Sequence, residues 1–508
     1  MTKVPQLPFL EQIQEQSISY NELKGSEHKK NLGQFFTDIN IAKFMASLAN
    51  VNIEQHKINI LDCGSGNGIL SISLLQRLDT LNLSLNVKLH LYEIDQDIID
   101  SLKSNVEMLQ SHLKNVDLSF AIHQENFILK DINEKFDFII SNPPYFKLNK
   151  ASDEAVKMNY VVYGQPNIYM LFMAKSIELL KDTGEMIFIT PRSFTSGSYF
   201  KAFRCFFLNN AHFEQIHIFN TRTKHFKSES ILQETIITKI VKRQIDKVII
   251  SSSEDSSFND YNEMKVENRL IVDLHEPECV IKLPLDQYDV NILKTFHRST
   301  QILQSLGYMV STGKVVTFRS KELITNEHTK DTVPLIWMNN FKNKQLEHPL
   351  DFGKEQYIST DNQSLLIDKS NYIIIKRFSS KEQKKRINIG YIFKDKIEYA
   401  QIGLENHLNY LYRKDDEMSK KELMILGDFL DSELTDKYFR ISNGNTQVNA
   451  TELMNLPIPD DIYKELISAR KHKTENKRYT RTTEKIQYTR ALCNWFNGFK
   501  LSFPFNAG

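Results

Sequence analysis

Asn142-Pro143-Pro144-Tyr145 sets an amide, a proline carbonyl and an aromatic ring side by side. It follows the apolar run Phe136–Ser141, which reads as a short buried strand. Two prolines cannot continue a strand interior, so the chain must turn there. The quartet is therefore expected at the carboxyl end of a strand, the edge at which open α/β sheets bind ligands. The chemistry that suits it is methylation of an exocyclic amine, a poor nucleophile because its lone pair is conjugated into the ring. The Asn142 amide oxygen and the Pro143 carbonyl, accepting the two N–H bonds, would draw the nitrogen towards sp³ and aim its lone pair at an electrophile. Tyr145 would stack on the base, a contact worth about 1–3 kcal/mol. Taken alone, the quartet is equally compatible with an Asn-Pro turn and a packed tyrosine.

The elements upstream decide between these readings. Ile58–Asp62 reads as a strand, followed by a glycine turn at Gly64, Gly66 and Gly68 and a helix from Ile69. Glycines let backbone approach a ligand, and the helix N-terminus behind them favours polar or anionic groups. The spacing is neither that of dinucleotide folds nor that of a P-loop. It is Asp-x-Gly-x-Gly, a turn that cradles S-adenosylmethionine, where Asp62 can meet the ligand's ammonium. A second strand from Val87 ends at Glu93, placed to accept two ribose hydroxyls, with Asp95 capping the next helix. A third unit ends at Asn126-Phe127, whose amide and ring could hold an adenine edge and face. Thr37 or Asp38 is expected to cap a helix with Ile41, Phe44, Met45 and Leu48 on one face. After the quartet, Asn167–Leu180 reads as an amphipathic helix and Glu185–Thr190 as a strand. His217–Phe219 and Ile231–Val241 read as an antiparallel pair completing the sheet.

The 508 residues are 41% hydrophobic and 25% charged, an ordinary globular composition. Net charge is +1, so a nucleic-acid footprint has to be a local patch. The four cysteines show no paired spacing, which argues against a zinc site or a disulfide framework and for a reducing compartment. No basic-then-apolar leader and no long apolar run occurs, so a cytoplasmic protein without a membrane partner is expected. From about residue 245 the strand–helix alternation fades, and Ser251–Ser257 reads as a surface loop near a boundary. The expected division is a catalytic unit over 1–245 and a second unit over 246–508. In the latter, Lys376, Arg377, Lys384, Lys385 and Arg386 interleave with aromatics and could track phosphates, although such runs often form a plain solvated face. The stretch from Arg470 to Arg490 is strongly basic.

In this order the residues resemble the adenine-N6 DNA methyltransferases of type II restriction–modification systems, in the gamma arrangement. There the cofactor motifs come first, the catalytic quartet next and the target-recognition domain last. Gly33–Thr37 is similar to their N-terminal cofactor motif, Asp62–Gly68 to the methionine loop, and Glu93 to the ribose ligand. Phe127 stands where the family stacks the cofactor's adenine, and Asn126 where it usually has an aspartate. Phe226 resembles the aromatic that sandwiches a flipped base opposite Tyr145. The stretches Tyr372–Ser380, Glu405–Tyr410 and Gly444–Ala450 followed by Leu456–Pro459 resemble recognition domains. The likeness implies a Rossmann-like doubly wound sheet with S-adenosylmethionine, followed by a mixed α+β recognition domain. It implies direct transfer of a methyl group to adenine N6 of double-stranded DNA after base flipping. It implies a monomer that needs no metal, and leaves open whether a separate restriction endonuclease accompanies it. The alternatives are cytosine-N4 methylation and a specificity subunit with an inactive catalytic domain.

Overall fold

The computed structural model describes residues 9–471 apart from 34–35, 53, 221–234, 275, 380–382 and 444–446. Its larger sheet is built from β1 (Lys57–Cys63), β2 (Leu85–Tyr92), β3 (Val116–His123), β4 (Phe136–Ser141), β5 (Leu180–Pro191), β6 (His212–Phe219), β7 (Thr235–Val241), β8 (Lys247–Ser253) and β9 (Asn262–Glu267). The spatial order is β3-β2-β1-β4-β5-β7-β6-β8-β9. The first five strands pair in parallel, and β7 runs antiparallel between β5 and β6. Strand order reverses between β1 and β4, the kind of switch point that opens a crevice at the carboxyl edge.

The helices are α1 (Phe9–Leu32), α2 (Ile39–Ser47), α3 (Ile69–Asp79), α4 (Gln96–Gln110), α5 (Asp153–Lys157), α6 (Ile168–Leu179) and α7 (Lys201–Asn210). Side-chain alternation assigns them to two cores. Ile58, Ile60, Phe138 and Ile140 pack with Met45, Leu74 and Leu102 of α2, α3 and α4. Leu61, Cys63 and Ile139 pack with Met170, Met173 and Phe207 of α6 and α7. All six residues of β4 are buried, as expected for a strand covered on both faces. The doubly wound α/β fold read from the sequence is therefore the fold observed.

Three expectations are corrected. α6 is not amphipathic: every residue except Glu178 is buried, because the helix lies between the sheet and α7. Even Lys175 is enclosed, its ammonium held by the carbonyls of Phe127, Ile128 and Lys130. Ser251 and Ser253 are not in a loop but in β8, 1% exposed, where their hydroxyls meet the two ring nitrogens of His217 at 3.0 and 3.1 Å. A boundary at 245 thus cuts between β7 and β8, inside one sheet that continues to Glu267.

The remainder is mixed α+β. One six-stranded sheet orders Tyr308–Thr312, Leu408–Arg413, Tyr372–Lys376, Ile389–Ile392, Gln345–Leu346 and Phe341–Lys342. A five-stranded sheet centres on Thr332–Ile336, and the helices Lys420–Asp431, Glu433–Ser442 and Asp460–Lys471 follow. Among the described residues, no helix is long and apolar enough to cross a membrane.

Candidate active site

Because β1 to β4 are parallel, the turns that leave them share one edge and line one cavity. Its walls include Gly33, Phe36, Thr37, Gly64, Ser65, Gly66, Glu93, Asn126, Phe127, Asn142, Pro144, Phe146, Glu154 and Phe172. Gly64 and Ser65 donate backbone N–H groups to the Tyr92 carbonyl at 2.9 and 3.0 Å, which ties the glycine turn to the end of β2. Gly66 has φ +53°, and a Cβ there would press on the Phe36 ring at 3.4 Å. Its amide donates to Glu93 Oε2 at 2.7 Å, while Ile94 and Asp95 amides donate to Oε1, each at 2.9 Å. Burial pushes the Glu93 carboxyl pKa up, and these three amides oppose it. Asp95 caps α4, and Glu93 stands on the cavity wall, as do Glu125 and Glu154.

Asp62 is fully buried beneath the same turn, and its pKa is pushed up to about 7 by desolvation, offset in part by Ser71. Neither carboxylate oxygen meets a hydrogen-bond partner at full geometry. Asp62 does not line the cavity, whereas Glu93 Oε2 accepts only the Gly66 amide and keeps a lone pair for a ligand hydroxyl, and Phe127 with Phe172 offers an apolar slot. The residues present therefore fit S-adenosylmethionine, whose sulfonium supplies an electrophilic methyl group when bound.

At the end of β4, Asn142 is half-buried and its amide is held on both sides. Nδ2 donates to Thr37 Oγ1 at 3.1 Å, and Oδ1 accepts from the Tyr145 hydroxyl at 2.5 Å. That hydroxyl also lies 2.9 Å from the Ile189 carbonyl. Tyr145 is 8% exposed, edge-on to Tyr169, and lies behind the cavity, while Pro144 and the half-buried Phe146 form its wall. Pro143 is buried. The Tyr145 amide donates to Gly33 O at 3.1 Å, and Gly33 adopts φ +59° against it. A Cβ at Gly33 would sit 2.9 Å from the Tyr145 nitrogen. The N-terminal motif thus supports the quartet as well as the cofactor turn.

Asn126 and Phe127 follow β3 and both reach the cavity. Lys175 lies over the Phe127 ring at 4.9 Å, and burial lowers its pKa to about 8. Phe36, Phe146, Phe172 and Glu154 line the cavity although the sequence reading assigned them no role. Phe36 lay inside the Gly33–Thr37 stretch and could have been found; Glu154, 28 residues from Asn126, carried no local signal.

The basic candidates separate. Arg386 is corrected: it is fully buried, Nε donates to Ser379 Oγ at 3.1 Å, and its guanidinium lies over Phe439. Its backbone N–H donates to Asp436 Oδ1 at 2.5 Å, so the residue pins its loop to the helix Glu433–Ser442 and cannot meet phosphate. Lys385 pairs with Asp431 at 2.8 Å. Lys384 is exposed and Lys376 half-buried. Arg377 is half-buried, donating to Asn406 O at 3.2 Å and lying over Phe378. Arg470 packs on Tyr308 and donates to Glu422 at 3.2 Å. Phe226 and the basic stretch beyond Lys471 lie outside the described residues.

Residues 39–226 match the family described as Eco57I restriction-modification methylase. The type II methyltransferase M.BsuBI of Bacillus subtilis is 33% identical over 485 residues, covering 92% of this chain and 95% of that protein. M.PstI of Providencia stuartii, also a type II methyltransferase, is 29% identical over 446 residues, covering 85% and 87%. M.HincII of Haemophilus influenzae, a third, is 34% identical over 241 residues, 46% of this chain and 42% of that one. With the cofactor cradle and the strand-end quartet in one cavity, these likenesses mean that the chain belongs to the type II methyltransferases of restriction–modification systems, with S-adenosylmethionine as its methyl donor.

Proposed function

We propose that the chain methylates adenine N6 in double-stranded DNA, at a site read by its C-terminal half. The supporting observation is the placement of Asn142, whose amide plane is clamped by Thr37 and Tyr145 on the wall shared with Gly64, Gly66 and Glu93. Oδ1 is the acceptor proposed for one N–H of the incoming amine. The carbonyl of Pro143 is the other acceptor proposed. Together they orient the amine lone pair towards the cofactor end of the cavity, and no covalent enzyme intermediate is needed.

A paired adenine cannot enter such a cavity, so the reading includes rotation of the target base out of the duplex, at a cost of a few kcal/mol. Tyr145 serves first to hold Asn142. Any stacking by its ring, or by Phe226, adds to grip on the base. Lys376, Arg377 and Lys384 remain candidates for phosphate contacts, and Lys385 contributes less because its ammonium is held by Asp431, which it shares with Lys344. The choice of adenine over cytosine rests on asparagine leading the quartet. Incubation with S-adenosylmethionine and duplex DNA, followed by nucleoside mass spectrometry, tests it. N6-methyladenine is expected; N4-methylcytosine overturns the choice of base, and no methylated nucleoside on any duplex overturns the activity.

A further inference from the structure

The cofactor's adenine carries an exocyclic amine, which needs an acceptor where it is buried. Asn126 stands at that end of the cavity, but its amide oxygen is already used. Oδ1 accepts the Ile128 amide at 3.0 Å and the Leu129 amide at 3.3 Å, filling both lone pairs. Nδ2 donates to Glu154 Oε1 at 2.8 Å. The opposite amide orientation would set two N–H donors against Nδ2 and a carboxylate against Oδ1, so the network itself fixes the assignment. Asn126 thus turns a donor, not an acceptor, towards the ligand and towards Glu154.

Glu154 lies on α5, half-buried on the same cavity wall. Its Oε2 has no hydrogen-bond partner among the described residues. Glu125 also lines the cavity and its buried Oε2 likewise has no hydrogen-bond partner, but Lys130 Nζ sits 2.8 Å from its Oε1 and matches its charge, whereas no lysine or arginine among the described residues pairs with Glu154. The loop from Asn126 to Lys130 is held still by Lys175 through three of its carbonyls, so the Asn126–Glu154 pair stands on a fixed base.

We propose that Glu154 accepts the exocyclic amine of the cofactor's adenine and that Asn126 is the positioning residue that orients it. The inference rests on S-adenosylmethionine as the donor and is independent of which base is methylated, because cofactor binding is measured without DNA.

The test is calorimetric binding of S-adenosylhomocysteine and of its analogue lacking the purine 6-amino group, on the full chain. The unmodified chain is expected to prefer the amino ligand by roughly 10- to 100-fold, the size of a hydrogen bond to a charged group. Glu154→Ala is expected to abolish that preference by weakening the amino ligand alone, Glu154→Gln to keep part of it, and Glu125→Ala to keep it whole. Equal weakening of both ligands in Glu154→Ala, no preference in the unmodified chain, or loss of preference in Glu125→Ala instead would each overturn the assignment. If the unmodified chain binds neither ligand, the cofactor reading fails and this one with it.

Discussion

Asn126 leaves β3 and Asn142 leaves β4, and the two amides reach one cavity from separate turns. Their side chains are chemically identical, yet their partners divide the donor and acceptor capacity differently. At Asn126 two backbone N–H groups take the oxygen, so the amide shapes its own turn and offers only a donor. At Asn142 the oxygen accepts from the Tyr145 phenol and the nitrogen donates to Thr37, so side chains from two other segments, and not its own turn, hold the amide plane. The residue type is the same; its neighbours decide whether it is scaffold or reagent.

Breaking the reactive side of this pair should have the largest effect. Asn142→Ala is expected to lower kcat by roughly 10²–10³-fold, comparable to deleting a preorganised group at a reacting centre. Its S-adenosylhomocysteine affinity should stay within about twofold, since the substitution removes a proposed acceptor for the target amine and no proposed cofactor contact. A matching loss of affinity, read by calorimetry, would reassign Asn142 to the cofactor. Glu93→Ala should show the reverse pattern, with affinity for S-adenosylhomocysteine weakened roughly 10- to 100-fold by loss of a charged acceptor. Unchanged saturation would remove Glu93 from the ribose site.

Tyr145→Phe sharpens the comparison by keeping the ring and deleting the hydroxyl that holds Asn142. A drop in kcat of about tenfold is expected, the value of one modest hydrogen bond, with KM for DNA little changed. A change confined to KM would favour stacking over positioning. Asn126→Asp should have the smallest effect and an unobvious sign. An aspartate there would set a second carboxylate beside Glu154. Like charges oppose one another, so affinity for the cofactor product, read by calorimetry at pH 8, should fall by about three- to tenfold. Tighter binding in this variant at pH 8 would count against Glu154 as the acceptor.

The local features of the site were legible because they depend on neighbours in sequence. Asp38 and Asp95 cap the helices expected of them. The glycine turn and the quartet sit at strand ends because three closely spaced glycines and two adjacent prolines each disfavour continuing a buried central strand. What escaped the sequence was partnership over distance. Arg386 looked like part of a basic surface run, but Asp436 and Phe439 lie about one small domain away along the chain and draw it inside. The serines of β8 looked like a loop because nothing near them announced His217, which satisfies their hydroxyls. α6 lacked a polar face in fact, although its two ends suggested one, because both of its sides are covered.

By itself the sequence determined that the turns after β1, β2, β3 and β4 would share one edge, since the strands of a parallel sheet deliver their carboxyl ends together. Only the tertiary structure decided what each group was left able to do there. Donor and acceptor capacity is finite, and an amide or carboxylate enters the chemistry with whatever its packed neighbours have not already taken.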